Sequence, residues 1–148
     1  MKVIYIAGKY RGASPWEVEQ NIRAAEDFAA KVWAMGHAAL CPHANSRHME
    51  GVSSEEHFLA GTLELMRRCD AVLLVPNWHR SEGARAEVAE AERLGMPVFG
   101  REAIVMLHSN GEQVPAAFKD MEAWIAAMED IERAARAEAE RQIGMVMS

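Results

Sequence analysis

Apolar and polar positions follow two repeating patterns along this chain. Amphipathic stretches, with an apolar residue every three or four positions, predict helices at residues 15–35, 54–68, 81–94 and 115–142. Short apolar runs between them predict buried strands at residues 2–7, 37–42, 71–75 and 97–100. The alternation of strand and helix predicts an α/β protein with a parallel sheet.

Serine residues mark where two of these helices begin. Ser14-Pro15-Trp16-Glu17 is a capping box with proline at the first helical position, and Ser53-Ser-Glu-Glu56 repeats the capping pattern. Residues 43–53 form a polar loop and a candidate lid, and the run 104–107 fits either a fifth strand or one helical turn. The side chains expected to face inward from these two helices are Val18, Ile22, Ala25, Phe28, Ala29 and Val32, then Phe58, Leu59, Leu63 and Met66.

Together the elements predict a flavodoxin-like or Rossmann-like doubly wound parallel sheet of four or five strands, with a long C-terminal helix. We expect residues 1–112 to form the α/β domain and residues 113–148 to belong to the same domain. The apolar stripe of the last helix is longer than a small sheet can cover. A second chain covering its distal part, in a homodimer or higher homo-oligomer, and a solvated tail are both compatible with this pattern. The stripe consists of Phe118, Met121, Ile125, Met128 and Ile131.

Composition narrows the class of protein. The chain has 148 residues, half of them hydrophobic, which fits one domain with its own core. A formal charge of -6 argues against duplex nucleic acid as a partner. The first apolar run is too short for a signal peptide or a membrane span, and Cys41 and Cys69 have no disulfide or zinc spacing. We therefore expect a soluble cytoplasmic protein with no membrane partner.

The stretch from Asp70 to Glu87 carries the strongest indication of chemistry. Its apolar run reads as a buried strand, and a helix follows at once from about Ser81 to Leu94. Glu87 therefore falls within two turns of a helix start, beside the carboxyl end of a strand, where open α/β sheets bind ligands. Asp70 stands at the amino end of the same strand. A structural cap and a functional role are both open for Asp70, and its position makes it the weaker catalytic candidate.

Several motifs in this order resemble the nucleoside 2-deoxyribosyltransferase-like superfamily, which includes deoxyribosyltransferases and nucleoside 5'-monophosphate N-glycosidases. They are Ile4-Tyr-Ile-Ala-Gly8, Cys69-Asp70, and Ser81-x-Gly83-Ala84-x-x-Glu87 leading into Gly95-x-Pro97-Val98. The resemblance covers about the first hundred residues. It implies that Glu87 is the nucleophile that attacks the anomeric carbon. It also implies that Ser81 and the nearby helix amides hold a 5'-phosphate where the substrate is a nucleotide.

Other candidate residues lie in the loops at the same edge of the sheet. The loop after the first strand presents amides and basic side chains to a phosphate, and Lys9 stands where relatives commonly carry proline. Tyr10 is expected to touch ligand rather than Tyr5, which reads as core. Asn21 matches a position that is often asparagine in relatives, which implies that it braces a loop or reaches the sugar, and an ordinary surface position on the helix is the alternative. His43 and His48 have no third metal ligand at a diagnostic spacing. The substrate-binding candidates are Gly8, Lys9, Tyr10, Arg11, Asn21, His43, Asn77, Trp78, Ser81, Gly83 and Ala84, and the catalytic candidates are Glu87 and Asp70.

The expected function is cleavage or transfer at the N-glycosidic bond of a nucleoside or a nucleoside 5'-monophosphate, with a carboxylate nucleophile and no cofactor or metal. The alternative is a nucleotide-sensing module that keeps the pocket without turnover. The base, the sugar and the choice between hydrolysis and transfer stay open, because pocket shape and water access decide them.

Overall fold

The computed structural model describes residues 1–101 and 114–147. The strands are β1 Val3–Ala7, β2 Ala38–Leu40, β3 Ala71–Leu74 and β4 Val98–Phe99. The helices are α1 Pro15–Ala34, α2 Pro42–Asn45, α3 Glu55–Arg67, α4 Glu82–Arg93 and α5 Val114–Met147. A 3-10 turn, Trp78–Arg80, connects β3 to α4. The run 104–107, for which a strand and a helical turn were both open, lies outside the described residues.

The four strands described form one parallel sheet in the order β2-β1-β3-β4. The order reverses between β1 and β3, because the connection from β1 to β2 runs to one side of the sheet and the connection from β3 to β4 runs to the other. A crevice forms at the carboxyl ends of the strands at such a reversal, and this is the usual ligand position in open α/β sheets. The predicted fold class, a doubly wound α/β sheet with a long C-terminal helix, is confirmed.

Alternate residues of the central strands face opposite layers of helices. Ile4 and Ile6 join the core cluster beneath α1 and α5, whereas Tyr5 and Ala7 join the cluster beneath α3 and α4. This period of two is the ordinary consequence of strand geometry. Tyr5 and α4 therefore lie on the same side of the sheet, so the Tyr5 side chain lies among residues of α4.

Helix α1 begins as predicted. The Ser14 side chain accepts a hydrogen bond from the Glu17 amide, and Pro15 occupies the first turn. The Glu17 carboxylate accepts a hydrogen bond from the Ala13 amide at 2.5 Å, which completes the cap one residue earlier than a standard capping box. Of its predicted apolar face, Val18 is half-buried and the other five residues are buried.

Four local predictions differ from the structure. The second strand is shorter than 37–42, because Pro42 starts α2, where its fixed φ and missing N–H suit a first helical position. The polar loop predicted at 43–53 therefore begins with a helical turn. The cap of α3 is Ser54, whose side chain accepts from the His57 amide, rather than Ser53. Leu59 is 41% exposed instead of inward, because the core-facing side of α3 centres on Met66.

Helix α5 has two environments. Its first part packs on the sheet, with Met121 and Ile125 buried in the cluster beneath α1. All residues from 130 to 147 are exposed, and Ile131 is 59% exposed. The helix is five residues longer at its C-terminal end than predicted. Among the described residues, no helix is both long enough and apolar enough to cross a membrane.

Candidate active site

The centre of the site is the Glu87 carboxylate. Glu87 lies on the inner face of α4, one and a half turns from the start of the helix, and only 8% of the residue is exposed. Burial raises the pKa of this carboxyl to about 7. Its Oε2 atom has no regular hydrogen-bond partner within residues 1–101 and 114–147. A buried carboxyl with a pKa near neutrality and an unpartnered oxygen is unusual for a structural residue and typical of a functional one.

Tyr5 lies beside Glu87. Its side chain is fully buried on the α4 side of the sheet, and its hydroxyl lowers the pKa of Glu87 in opposition to burial. Burial, and then the neighbouring Glu87, raise the pKa of Tyr5 well above its ordinary value, so the hydroxyl keeps its proton. The hydroxyl has no regular hydrogen-bond partner in the described part of the chain. A protonated phenol thus stands next to the carboxyl as a potential donor.

The start of α4 is built by Ser81. Its side chain accepts a hydrogen bond from the Ala84 amide at 3.1 Å, so the hydroxyl serves as the helix cap. The first helical amides, those of Glu82 and Gly83, have no acceptor within the helix and are available to an anion. Trp78 packs against the same cluster as Tyr5, and its Nε1 atom is buried without a partner among the described residues.

Residues 8–14 connect β1 to α1 and form the first loop. Two side chains brace its carbonyl groups. The Nε2 atom of His43 lies 3.1 Å from the Gly8 and Lys9 carbonyl oxygens, and because both are acceptors, Nε2 carries the proton. The Asn21 amide donates to the carbonyls of Tyr10 and Arg11, both at 3.1 Å. Four successive carbonyls are therefore held by side chains.

This bracing determines where the amides of the first loop point. A trans peptide directs the carbonyl of one residue opposite to the N–H of the next. The N–H groups of Tyr10, Arg11 and Gly12 consequently point away from His43 and Asn21, and no acceptor is recorded for them within the described residues. Amides without an acceptor in a loop at the carboxyl end of a strand are available to an anion.

Asn77 and Gly8 join the ends of the two central strands. The Lys9 amide donates to the Asn77 side-chain oxygen at 2.9 Å. A Cβ atom on Gly8 would lie 2.8 Å from the Val75 Cβ atom, so only glycine permits this approach. The first loop is thereby held against the residues that follow β3. Asn77 acts on the loop backbone, whereas the sequence suggested a contact with ligand.

His43 is itself buried, although the sequence placed it in a polar loop. Burial lowers the pKa of His43, with the two carbonyl contacts opposing this effect, so the ring is neutral near pH 7. The Tyr10 ring meets it edge-on at 5.7 Å between centroids. His43 therefore supports the first loop from below.

Two donor side chains of the first loop are paired with carboxylates. The Tyr10 hydroxyl donates to Glu50 at 2.5 Å, and the Arg11 guanidinium lies 2.8 Å from the Glu55 carboxylate. Lys9 makes no ion pair within the described ranges. Neither glutamate was indicated by the sequence, because Glu50 lies in a predicted polar loop and Glu55 is an ordinary first-turn position after a capping serine.

Asp70 is not brought to this site. Its carboxylate accepts a hydrogen bond from the Val3 amide at 2.8 Å, at the amino edge of the sheet. The site residues lie at the opposite edge and beneath it. Asp70 thus ties the start of β1 to the start of β3, and its position at the amino edge gives no support to the catalytic candidacy that the sequence left open beside a structural role. The physical reason is strand direction, because parallel strands place their two ends at opposite edges of the sheet.

Tyr5 lies in the core, as its place in an apolar run predicted, but the sequence did not indicate that its hydroxyl lies beside Glu87. The available signal was its hydroxyl, since a phenol in the middle of a buried strand requires a polar neighbour. Within the described residues, no group of three or more histidine, cysteine, aspartate or glutamate side chains is arranged to hold a metal ion. An open groove beside β2, between Trp33 and Cys41, is separate from the site.

The fold and the site define a parallel α/β protein with a buried carboxyl beneath the carboxyl edge of its sheet. The chain belongs to the family described as "Domain of unknown function (DUF4406)", whose model matches residues 2–100. No curated protein matches the chain.

Two solved structures to which the chain is similar are 2-deoxyribosyltransferases. That of the psychrotolerant bacterium Bacillus psychrosaccharolyticus is 21% identical with a TM-score of 0.48, over 65% of this chain and 69% of that one. That of Leishmania mexicana is 19% identical with a TM-score of 0.47, over 67% of this chain and 63% of that one. The chain thus spans about two thirds of the length of these structures.

Proposed function

We propose that the protein cleaves or transfers the N-glycosidic bond of a nucleoside or nucleoside 5'-monophosphate, with Glu87 as the nucleophile. The observation that carries the proposal is the buried Glu87 carboxyl beside the Tyr5 hydroxyl, with one oxygen unpartnered and a pKa of about 7. The motif resemblance names the same residue for the same role. These two lines of support differ, because the first comes from the burial and neighbours of Glu87 in the structure and the second from the order of residues in the sequence.

The chemistry requires an anion beneath the sugar. Breaking the bond passes through an oxocarbenium-like sugar, which a carboxylate stabilises and then captures. In the proposed step, a Glu87 oxygen bonds to the anomeric carbon while the bond to the base nitrogen breaks and its electron pair leaves with the base. Water or a second base then attacks the same carbon and releases Glu87. The protonated Tyr5 hydroxyl lies beside the carboxylate and can donate a hydrogen bond that orients it.

A substrate that carries a 5'-phosphate has a candidate anion site in this proposal. Three observations support an anion site: the amides of residues 10–12 that point away from His43 and Asn21, the Lys9 side chain without an ion pair in the described part, and the first amides of α4 behind the Ser81 cap. A phosphate held there would lie near the carboxyl edge of β1 and β3. Asn21 and His43 act as positioning residues for this loop.

A nucleotide-sensing module without turnover is the second candidate. The burial of Glu87 favours it, because a carboxyl that is 8% exposed must gain access to substrate before it can react. A sensor would bind nucleotides and release no base. The two candidates therefore differ in one measurable product.

The deciding experiment follows base release. The pure protein is incubated with nucleosides and their 5'-monophosphates, with and without a free acceptor base, and the products are separated by chromatography. Release or exchange of base that disappears in Glu87→Gln supports the enzyme. Binding by calorimetry without any base release supports the sensor, and absence of both contradicts the proposal. Glu92→Gln, an exposed glutamate on the same helix, is the matched control.

A further inference from the structure

The first loop contacts the residues around the start of α3 at two places. Glu50 precedes α3 and contacts the Tyr10 hydroxyl, and Glu55 begins α3 and pairs with Arg11. Both contacts place a carboxylate on a donor side chain of the first loop. These donors flank the unpartnered amides that the proposed function assigns to a phosphate.

We propose that Glu50 and Glu55 form an acidic latch that sets substrate specificity, because a phosphate can displace these carboxylates from Tyr10 and Arg11 and a neutral nucleoside cannot. The proposal rests on the proposed function in taking a phosphate-bearing substrate. A carboxylate and a phosphate present the same kind of anionic oxygen to arginine and to a phenol. The two therefore compete for the same donors.

Arg47 and His48, which precede Glu50 in the chain, are fixed to α1 by side-chain contacts. The Arg47 guanidinium donates to Glu26 at 2.9 Å and also contacts Glu19, which accepts from His48 as well. His48 adopts a left-handed backbone with φ of 56°, a conformation uncommon for a residue other than glycine. The chain turns here, and Glu50 is directed to the first loop. Arg47 and His48 therefore stay anchored to α1, and only the contacts of Glu50 with Tyr10 and of Glu55 with Arg11 must break when a phosphate binds.

Exposure makes the outer contact exchangeable. The Arg11 and Glu55 side chains are 76% and 79% exposed, and ion pairs in water contribute little to stability. A phosphate dianion can accept two hydrogen bonds from one guanidinium and carries more charge than a carboxylate. Arginine thus exchanges its glutamate for a phosphate at small cost. A nucleoside carries no anion that could replace the glutamates, so both contacts of the latch stay in place.

The neighbouring residue Glu56 supplies a matched control. It lies in the same first turn of α3 with the same charge and makes no ion pair within the described residues. Glu50→Gln with Glu55→Gln removes two charges from the latch. Glu56→Gln with Glu122→Gln removes two charges from exposed helix positions elsewhere.

Calorimetry measures the binding of inorganic phosphate to the wild type and both variants. It also compares each of the four common deoxynucleoside 5'-monophosphates with its own deoxynucleoside. The latch variant is expected to bind phosphate and monophosphates about threefold to tenfold more tightly and deoxynucleosides more tightly by a larger factor, so that the preference for monophosphates falls, whereas the control variant keeps the wild-type affinities. Hydrogen exchange without ligand gives a second readout, in which the amides of residues 49–54 exchange faster in the latch variant.

The outcomes separate the two proposals. Unchanged or weaker phosphate binding by the latch variant, with monophosphate still preferred to nucleoside by the wild type, overturns the latch and leaves the proposed function standing. Unchanged exchange of residues 49–54 also overturns the latch. If neither protein distinguishes monophosphate from nucleoside but exchange increases, the contact exists and the phosphate-bearing substrate is wrong, which overturns the specificity role.

Discussion

The Tyr5 hydroxyl on β1 faces the Glu87 carboxyl on α4 in the interior of the protein, beneath the carboxyl edge of the sheet. The two residues are 82 positions apart in the chain. The pKa of each is changed by burial first and by the other second. This pair connects the protonation of the site to the stability of the fold, and several expected outcomes depend on it.

Glu87→Gln is expected to abolish base release and to stabilise the protein at pH 8. A carboxyl with a pKa of 4.5 in the unfolded chain and about 7 in the folded chain binds more protons when folded. Stability therefore falls as the pH rises from about 4.5 through 7, by a loss on the order of 3 kcal/mol that glutamine avoids. Thermal denaturation at pH 5 and pH 8 measures this, and equal effects at both pH values would contradict it.

The pH dependence of the reaction is expected to follow the same group. A nucleophilic carboxylate must be ionised, so kcat/KM for the proposed substrate should rise with pH through about 7 and then level off. Tyr5→Phe removes a neighbour that lowers the pKa of Glu87, and its midpoint should lie at higher pH. A profile that is flat between pH 5.5 and 8.5 would show that Glu87 is not the titrating group.

Asn21→Ala is expected to weaken binding of a monophosphate about fivefold to tenfold while affecting the nucleoside much less. The variant leaves the carbonyls of Tyr10 and Arg11 without their brace, so the amides that face away lose their common direction. Gln20→Ala, an exposed neighbour on α1, is the control. Equal losses for monophosphate and nucleoside would point to general damage to the fold.

Gly8→Ala and Gly61→Ala should change stability in opposite directions. The new Cβ at Gly8 would lie 2.8 Å from Val75, and separating the two strand ends should cost about 1–3 kcal/mol. The new Cβ at Gly61 on α3 meets nothing within 4 Å, and alanine should stabilise the helix by about 0.5–1 kcal/mol. Denaturant unfolding compares the two, and a tolerated Gly8→Ala would show that the first loop is not held against β3.

The exposed half of α5 is expected to pair two copies of the chain. Ile131 and Ile143 are each 59% exposed, and most helical stability in proteins comes from packing an apolar face, which residues 130–147 do not obtain within the described part of their own chain. Ile131→Glu with Ile143→Glu should reduce the mass in light scattering from dimer to monomer. Ala137→Glu with Gly144→Glu adds the same charges on the opposite face and should not. A wild-type monomer at tens of micromolar would contradict the expectation.

Local physics explains what could be predicted from the sequence. The Ser14 cap, the strand of residues 71–74, the start of α4 behind Ser81 and the helical spacing of the apolar residues around Met121 depend on interactions within a few residues of the chain. The alternation of elements then leaves few topologies open, and a parallel sheet follows. The position of Glu87 near a helix start and a strand end is part of the same local pattern.

The strand order and the packing of α2 to α4 decided the rest. Placing β1 between β2 and β3 brings Tyr5 to Glu87, His43 to the Gly8 carbonyl and Asn77 to the Lys9 amide, and it leaves Asp70 at the other edge. None of these pairs is close in sequence, so no local pattern encodes them. The pKa of Glu87 also belongs to the tertiary structure, because it depends on how much water the packed helices exclude. Residue order thus determined which groups are available, and packing alone determined which of them act on one another.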